Sequence, residues 1–160
     1  MSVSFVVIIL DQLIKRYVHS EFDLGESYSV VPNFFDITYV RNPGAAFGLL
    51  RDLPDPFHAI FFFSVPPLAV LIILLILRQT QNEEKVSIIA LSAICGGALG
   101  NYIDRIRLGF VVDWLDFHYQ SQWHYPAFNI ADVAIVMGVG TIIISSFVKG
   151  DANKLSTQHS

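Results

Sequence analysis

The sequence has 160 residues, enough for one domain, and 53% of them are hydrophobic whereas only 15% are charged. Soluble proteins contain about 25% charged residues, so this composition favours a membrane protein. The net charge of -4, without a basic cluster, argues against nucleic-acid binding, which requires lysines and arginines to neutralise phosphates. The one cysteine, Cys95, cannot form an internal disulfide and is interpreted as a small core or lipid-facing residue.

Four segments predict helices that could cross a bilayer, which takes about 20 residues. The first is apolar only in its first half, so we place its charged end at the interface, and it lacks the pattern of a cleaved signal peptide. The second contains Pro66 and Pro67, which should kink it and leave free carbonyls for neighbouring helices to cover. The third is rich in small residues that let helices approach closely. The predicted spans are 1–18, 57–77, 86–106 and 130–148.

The connection 24–50 is too long for a simple turn and predicts a small β-sheet. Residues 35–39 alternate between apolar and polar side chains as a strand does, and 27–31 could form its hairpin partner. An even number of spans puts both termini on one side, and the basic tail favours the cytoplasm for that side. We therefore expect a mainly α, four-span membrane domain over 1–150 with the sheet outside, followed by a polar disordered tail at 151–160.

Polar residues at the outer ends of the first and third spans are interpreted as structural. Asp11 and Lys15 are spaced i, i+4 with the acid first, which favours a neutralising pair at the interface over direct catalysis. Asn101 and Asp104 share one face of the third helix, and Arg105 follows them. Asp104 can pair with a neighbouring arginine or with another helix, and we favour an anchoring role for this cluster.

Two further acids lie near one membrane face. Gly109 predicts the C-cap of the third helix, which frees Asp113 to lie in a short extended or turning segment. Asn129 and Asp132 open the fourth helix as in a capping box, and capping is the favoured interpretation of that motif alone. The combination favours catalysis, because a short connection can bring both carboxylates together. Two close carboxylates share one proton, so one can activate water while the other polarises a scissile carbonyl, as in aspartyl peptidases.

The helix dipole suggests an asymmetry within this pair. Asp132 lies in the first turn of a helix, so we predict that it is the ionised member and that Asp113 is protonated. His118 and His124 could bind a metal but are interpreted as interfacial, and no metal or cofactor is expected. Asp116 is expected to be dispensable. The alternatives are a four-span proton- or cation-coupled transport or binding protein, which acids near one face disfavour, and a scaffold whose acids only cap and pair.

Five segments, in this order along essentially the whole chain, resemble lipoprotein signal peptidase (signal peptidase II), an aspartyl peptidase family. The segments are Asp11-Gln12-Leu13-Ile14-Lys15, Arg41-Asn42-Pro43-Gly44-Ala45-Ala46-Phe47, Gly100-Asn101-Tyr102-Ile103-Asp104-Arg105, Val111-Val112-Asp113 and Phe128-Asn129-Ile130-Ala131-Asp132. Two features depart from the family. The first helix begins almost at Met1, without the usual cytoplasmic lead, and Val133 stands where the family commonly has Ser or Thr.

The resemblance implies cleavage of prolipoproteins before a diacylglyceryl-modified cysteine, at the outer face of the bacterial inner membrane. It also implies contact with membrane lipids and binding of globomycin-type inhibitors, and we expect a monomer. The family's catalytic aspartates correspond to Asp113 and Asp132. Its supporting positions correspond to Asp11, Lys15, Asn42, Asn101, Asp104, Arg105 and Asn129. In addition, Gly44 and Ala45 are small enough to let a substrate backbone approach, with Asn42 as a polar clamp.

Overall fold

The computed structural model describes residues 2–44, 54, 56–81, 84–120 and 123–158. Within these ranges the chain forms four helices and one four-stranded sheet, so the mainly α class is confirmed. The elements in chain order are α1 (Ser2–Glu21), β1 (Ser27–Val31), β2 (Phe35–Asn42), α2 (Phe57–Gln79), α3 (Lys85–Leu108), β3 (Val111–Tyr119), β4 (Trp123–His124) and α4 (Ile130–Gln158).

Among the described residues, three helices are long and apolar enough to cross a membrane: Ile60–Gln79, Lys85–Leu108 and Ile130–Val148. Helix α1 is not among them, because its second half carries the charged residues Asp11, Lys15 and Arg16. Asp11 and Lys15 are buried. Helix α4 continues through Gln158, over most of the segment for which a disordered tail was predicted. Alanine, lysine, leucine and glutamine in that segment are good helix formers, so the helix can extend.

Small residues on α3 let the helices pack closely, as the sequence predicted, and a glycine on α4 contributes in the same way. A Cβ atom on Gly96 would lie 2.8 Å from the carbonyl oxygen of Ser4 in α1. One on Gly138 in α4 would lie 2.7 Å from the carbonyl oxygen of Ala90 in α3. Helix α3 therefore contacts α1 and α4 backbone to backbone, which fixes the relative positions of the helices that carry the polar residues.

The two prolines lie inside α2, and a neighbouring helix covers a carbonyl that they leave free. Pro67 has no N–H with which to bond the carbonyl of Phe63, four residues earlier. The hydroxyl of Tyr102 on α3 donates to that carbonyl at 3.3 Å. The predicted compensation is confirmed for this carbonyl.

Gly109 ends α3 in the left-handed conformation, with φ 81°, as predicted. Its N–H donates to the carbonyl of Arg105 at 3.1 Å. Glycine adopts this conformation without strain, so the chain can turn sharply from the helix into β3.

The sheet is antiparallel with the strand order β1-β2-β3-β4. The predicted hairpin is confirmed, since β1 pairs with β2. The prediction was wrong in confining the sheet to the first connection, because β3 and β4 come from the connection before α4. The β-branched and aromatic residues of β3 continue through Tyr119. Residues 111–117 pair with β2 between Phe35 and Asn42, with a register shift between Ile37 and Val40. Tyr39 and Val112 pack with Val18 in a core that fixes the sheet to the end of α1.

Candidate active site

Asp113 on β3 and Asp132 in the first turn of α4 line the same cavity of about 410 Å³. Backbone hydrogen bonds join the two ends of the connection between these acids. The N–H groups of Trp114 and Leu115 both donate to the carbonyl of Phe128. Phe128 lies two residues before the start of α4, so this pairing returns the chain to β3. The two acids predicted to form a pair are therefore brought together.

Asp113 is almost completely buried, with 2% of its surface exposed. Its Oδ2 accepts a hydrogen bond from Asn42 Nδ2 at 2.9 Å, and its Oδ1 accepts one from Asn129 Nδ2 at 2.6 Å. Burial, and next the negative charge of Asp132, raise the pKa of Asp113 to about 7, against the lowering effect of the two amide donors. A substantial fraction of Asp113 is therefore protonated at neutral pH.

Asp132 forms the capping box that the sequence indicated. Its Oδ2 accepts from the backbone N–H of Asn129 at 3.2 Å, while Asn129 Oδ1 accepts from the backbone N–H of Asp132 at 3.0 Å. Capping uses only Oδ2 of Asp132. The other oxygen, Oδ1, accepts from Asn101 Nδ2 at 2.8 Å. The half-buried carboxylate also borders the cavity, so capping and a chemical role are compatible.

Three asparagine side chains surround the pair, and each has its carbonyl oxygen held by a group that can only donate. This leaves each NH₂ group facing a carboxylate, which settles the orientation of all three amides. The donors are the backbone N–H of Gly44 for Asn42, at 3.0 Å, the backbone N–H of Asp132 for Asn129, at 3.0 Å, and the ammonium of Lys15 for Asn101, at 2.8 Å.

A buried ionic cluster lies behind the pair, between α1 and α3. Lys15 Nζ lies 2.9 Å from Asp11 Oδ2 and 3.1 Å from Asp104 Oδ2, and no member of this cluster is more than 2% exposed. The predicted ion pair of Asp11 and Lys15 is confirmed, but it is buried, because α3 covers it and supplies a second acid. The same contact decides between the open alternatives for Asp104, which pairs with another helix.

The two acids of this cluster each hold the backbone immediately before one member of the pair. Asp11 Oδ1 accepts from the N–H of Ala131 at 3.0 Å, and Asp104 Oδ2 accepts from the N–H of Val112 at 3.1 Å. Gly100 leaves room for this arrangement, since a Cβ there would lie 2.6 Å from Asp11 Oδ2. The cluster therefore fixes the backbone on which both carboxylates stand.

Arg105 ties α3 to the chain that follows β2. Its Nη2 donates to the carbonyl of Gly44 at 2.7 Å, and its guanidinium lies 4.9 Å from the centre of the Phe62 ring. Arg105 and Asp132 line a second cavity, of about 360 Å³, between α2, α3 and α4. Ala45, which was predicted to act beside Gly44, lies outside the described residues.

Sequence reasoning missed most of the lining of the first cavity. The lining side chains are mainly apolar and come from the chain before α4 and from α4 itself. They include Phe117, Trp123, Tyr125, Phe128, Val133, Val136 and Met137. Trp123 and Tyr125 belong to this lining. Their position in the connection between the two acids could have indicated a cavity wall.

His118 and His124 are cross-strand partners whose rings stack with centroids 5.0 Å apart. Each lies near an acid, with His118 Nε2 3.2 Å from Asp36 Oδ2 and His124 Nδ1 3.6 Å from Asp116 Oδ1. A hydrogen bond to the carbonyl of Gln120, and then Asp36, raise the pKa of His118. Over the described residues, no group of three His, Cys, Asp or Glu side chains is placed to hold a metal.

The chain belongs to the signal peptidase II family, since the sequence model described as signal peptidase (SPase) II matches residues 3–148. The lipoprotein signal peptidase of Syntrophus aciditrophicus (strain SB) is 46% identical over 144 residues, which cover 90% of this chain and 89% of that protein. The lipoprotein signal peptidase of Shewanella pealeana (strain ATCC 700345 / ANG-SQ1) is 44% identical over 151 residues, or 94% of this chain and 87% of that protein.

Two solved structures, each described as a bacterial membrane enzyme determined by the in meso method, have the same fold. Their TM-scores are 0.82 and 0.77, and both are 33% identical to this chain. The likeness covers 95% and 89% of this chain, respectively, and 88% of each solved chain. The relatives are peptidases and membrane enzymes, and the transport alternative is not supported.

Proposed function

We propose that this protein is an aspartyl endopeptidase that removes signal peptides from prolipoproteins by cleaving before a diacylglyceryl-modified cysteine. The observation that carries the proposal is the arrangement of Asp113 and Asp132 on one cavity, with the pKa of Asp113 raised to about 7. Membership of the signal peptidase II family supports the substrate class.

The surroundings of the two acids support a division of roles. Asp132 receives N–H donors on both oxygens and lies at the N-terminus of α4, where the helix dipole favours negative charge. It is the base that takes a proton from the attacking water. Asp113, protonated at rest, donates a hydrogen bond to the scissile carbonyl and stabilises the charge that develops on its oxygen. Asp132 then passes the proton that it took from water to the departing amine as the C–N bond breaks, which returns both acids to their resting states.

The polar face of α1 supports its assignment as a fourth span. Its charged residues are buried against α3, whereas apolar side chains such as Phe5, Val6 and Leu13 are exposed. A helix of this kind presents an apolar surface to lipid even though its average composition is mixed. With four spans, the sheet and the pair lie at the outer face of the bacterial inner membrane.

The cavities beside the pair suit a lipidated peptide. Apolar side chains of α2 and α4, including Phe61, Val65 and Val136, lie beside Asp132 in the cavity between the helices. Each CH₂ group of a diacylglyceryl chain that is buried contributes about 0.8 kcal/mol, so the lipid supplies much of the binding free energy. Membrane lipids would contact the same site, and globomycin-type inhibitors would bind to it. The protein would act as a monomer.

Replacing each acid by asparagine tests the proposal. Asp113→Asn and Asp132→Asn should each slow processing of a prolipoprotein by at least about 100-fold, because each removes one half of the proton transfer. Processing in membranes can be followed by mass spectrometry of the released signal peptide. Asp116→Asn is the matched control, because Asp116 lies on the same strand as Asp113 and should be dispensable. Full processing by Asp132→Asn would contradict the proposal.

A further inference from the structure

Lys15 is a buried cation that makes no contact with the cavity, and the chemistry above does not use it. Its ammonium has three N–H donors and three acceptors within 3.1 Å, on Asp11, Asp104 and Asn101. Burying a cation is costly unless its partners compensate, and a core of apolar residues would fill the same space without that cost. The placement of this charge therefore calls for a role besides packing.

The contact with Asn101 shows what that role is. An ammonium has no acceptor, so the atom of Asn101 that faces it must be the carbonyl oxygen, and the NH₂ group must face Asp132. If the amide were reversed, its NH₂ would face the ammonium and its oxygen would face the carboxylate. Backbone N–H groups orient Asn42 and Asn129. The carbonyl oxygen of Asn101 accepts from the Asn129 amide at 3.2 Å and, at the shorter distance of 2.8 Å, from the charged side chain of Lys15 on another helix.

We propose that Lys15 is a positioning residue of the peptidase reaction, which orients the Asn101 amide so that its N–H donates to Asp132 and keeps the negative charge of the pair there. This inference rests on the proposed function. Lys15 does not line the cavity and reaches Asp132 through Asn101, while its charge also favours ionisation of Asp113. The charged groups packed around Asn101 and Asp132 are Asp11 and Lys15 on α1, Asp104 and Arg105 on α3, and Asp113 on β3.

The test compares Lys15→Met/Asp104→Asn with Asp104→Asn alone. The double variant keeps the net charge of the wild-type cluster, and the remaining acid, Asp11, still accepts from the backbone N–H of Ala131. We expect its kcat to fall a further ten- to hundred-fold below that of Asp104→Asn, as for loss of a hydrogen bond to a charged group. KM should change less than about threefold, since no substrate contact is lost. The acidic limb of the pH profile of kcat/KM should move to higher pH, because the charge on the base is less well stabilised.

Ser4→Ala controls for a merely structural role. It removes another buried hydrogen bond between α1 and α3, in which Ser4 Oγ donates to the carbonyl of Ser92 at 2.8 Å. Its thermal stability should fall while its pH profile stays that of the wild type. If the double variant lowers the rate but keeps the pH profile of Asp104→Asn, the proposal is overturned.

Asn101→Ala keeps the proposal testable if the Lys15 variant does not fold, since the ion pairs of Lys15 with Asp11 and Asp104 remain. It should show the same displacement of the acidic limb, and a wild-type profile would contradict the inference. Where both variants fold, adding the Lys15 substitution to Asn101→Ala should displace the limb no further. Failure of the proposed function is distinguishable, because Asp113→Asn would then still process substrate.

Discussion

At the scale of single residues, the site places an acid where its charge is costly. Asp113 is buried beside a second carboxylate, and its pKa is raised to about 7. The folded protein therefore binds a proton more tightly than the unfolded chain does. Between about pH 4 and pH 7 this makes the folded state less stable as the pH rises, because the unfolded state gives up the proton more readily.

Asp113→Asn should accordingly stabilise the protein while abolishing processing. Removing the ionisation could contribute up to about 4 kcal/mol above pH 7, and one unfavourable contact between amide donors subtracts about 1–2 kcal/mol. We expect the melting temperature in detergent to exceed that of the wild type at pH 8, and the difference to shrink toward pH 4. A variant that is less stable than the wild type at pH 8 would contradict this account. Asp116→Asn serves as the control.

At the scale of helices and strands, sequence patterns predicted the features that depend on neighbouring residues alone. The alternation over 35–39 and the glycine at 109 were sufficient for the hairpin and the helix end. The length of β3 and the existence of β4 could not be predicted, because they depend on pairing with β2 and with each other. The spacing of Asp11 and Lys15 predicted an ion pair, but its burial depends on α3, which no pattern within α1 contains.

The contact between α3 and the start of α4 gives a prediction at this scale. A Cβ on Gly97 would overlap the carbonyl oxygen of Ala131, next to Asp132. Gly97→Ala should therefore displace the first turn of α4, destabilise the protein by roughly 1–3 kcal/mol and lower kcat. Thermal denaturation and processing assays would measure both effects.

Gly140→Ala in α4 provides the comparison, because a Cβ there meets nothing within 4 Å. It should leave kcat unchanged and increase stability by roughly 0.5–1 kcal/mol through helix propensity. Equal effects of the two substitutions would show that close contact at Gly97 does not position Asp132.

At the scale of the whole molecule, the order of the four helices followed from hydrophobic runs, and the meeting of the two acids followed from the short connection between them. The cavities did not, because their walls are assembled from side chains of β3, the following connection and α4. The supporting residues were recognised as a set, yet their hydrogen bonds could not be inferred until four separate segments were brought together.

The proposed orientation predicts which residues can be labelled from outside the cell. Ser29 is exposed on β1, and Gln81 is exposed between α2 and α3. A membrane-impermeant maleimide applied to spheroplasts should modify Ser29→Cys but not Gln81→Cys, while both should react after lysis. The native Cys95 is buried and gives little background. Labelling of Gln81→Cys in intact spheroplasts would contradict the proposed topology, and would mean that the orientation is reversed or that there are fewer than four spans.

Asn42 borders both cavities described above and a third, of about 360 Å³, that also contains Asp113. The three cavities therefore share the side chain of Asn42 in their walls. An inhibitor bound to Asn42 would border all three of these cavities without filling them. A substitution of Asn42 that weakened binding of such an inhibitor would also remove an amide donor from Asp113. Resistance by this substitution would therefore impair the proton transfer on which catalysis depends.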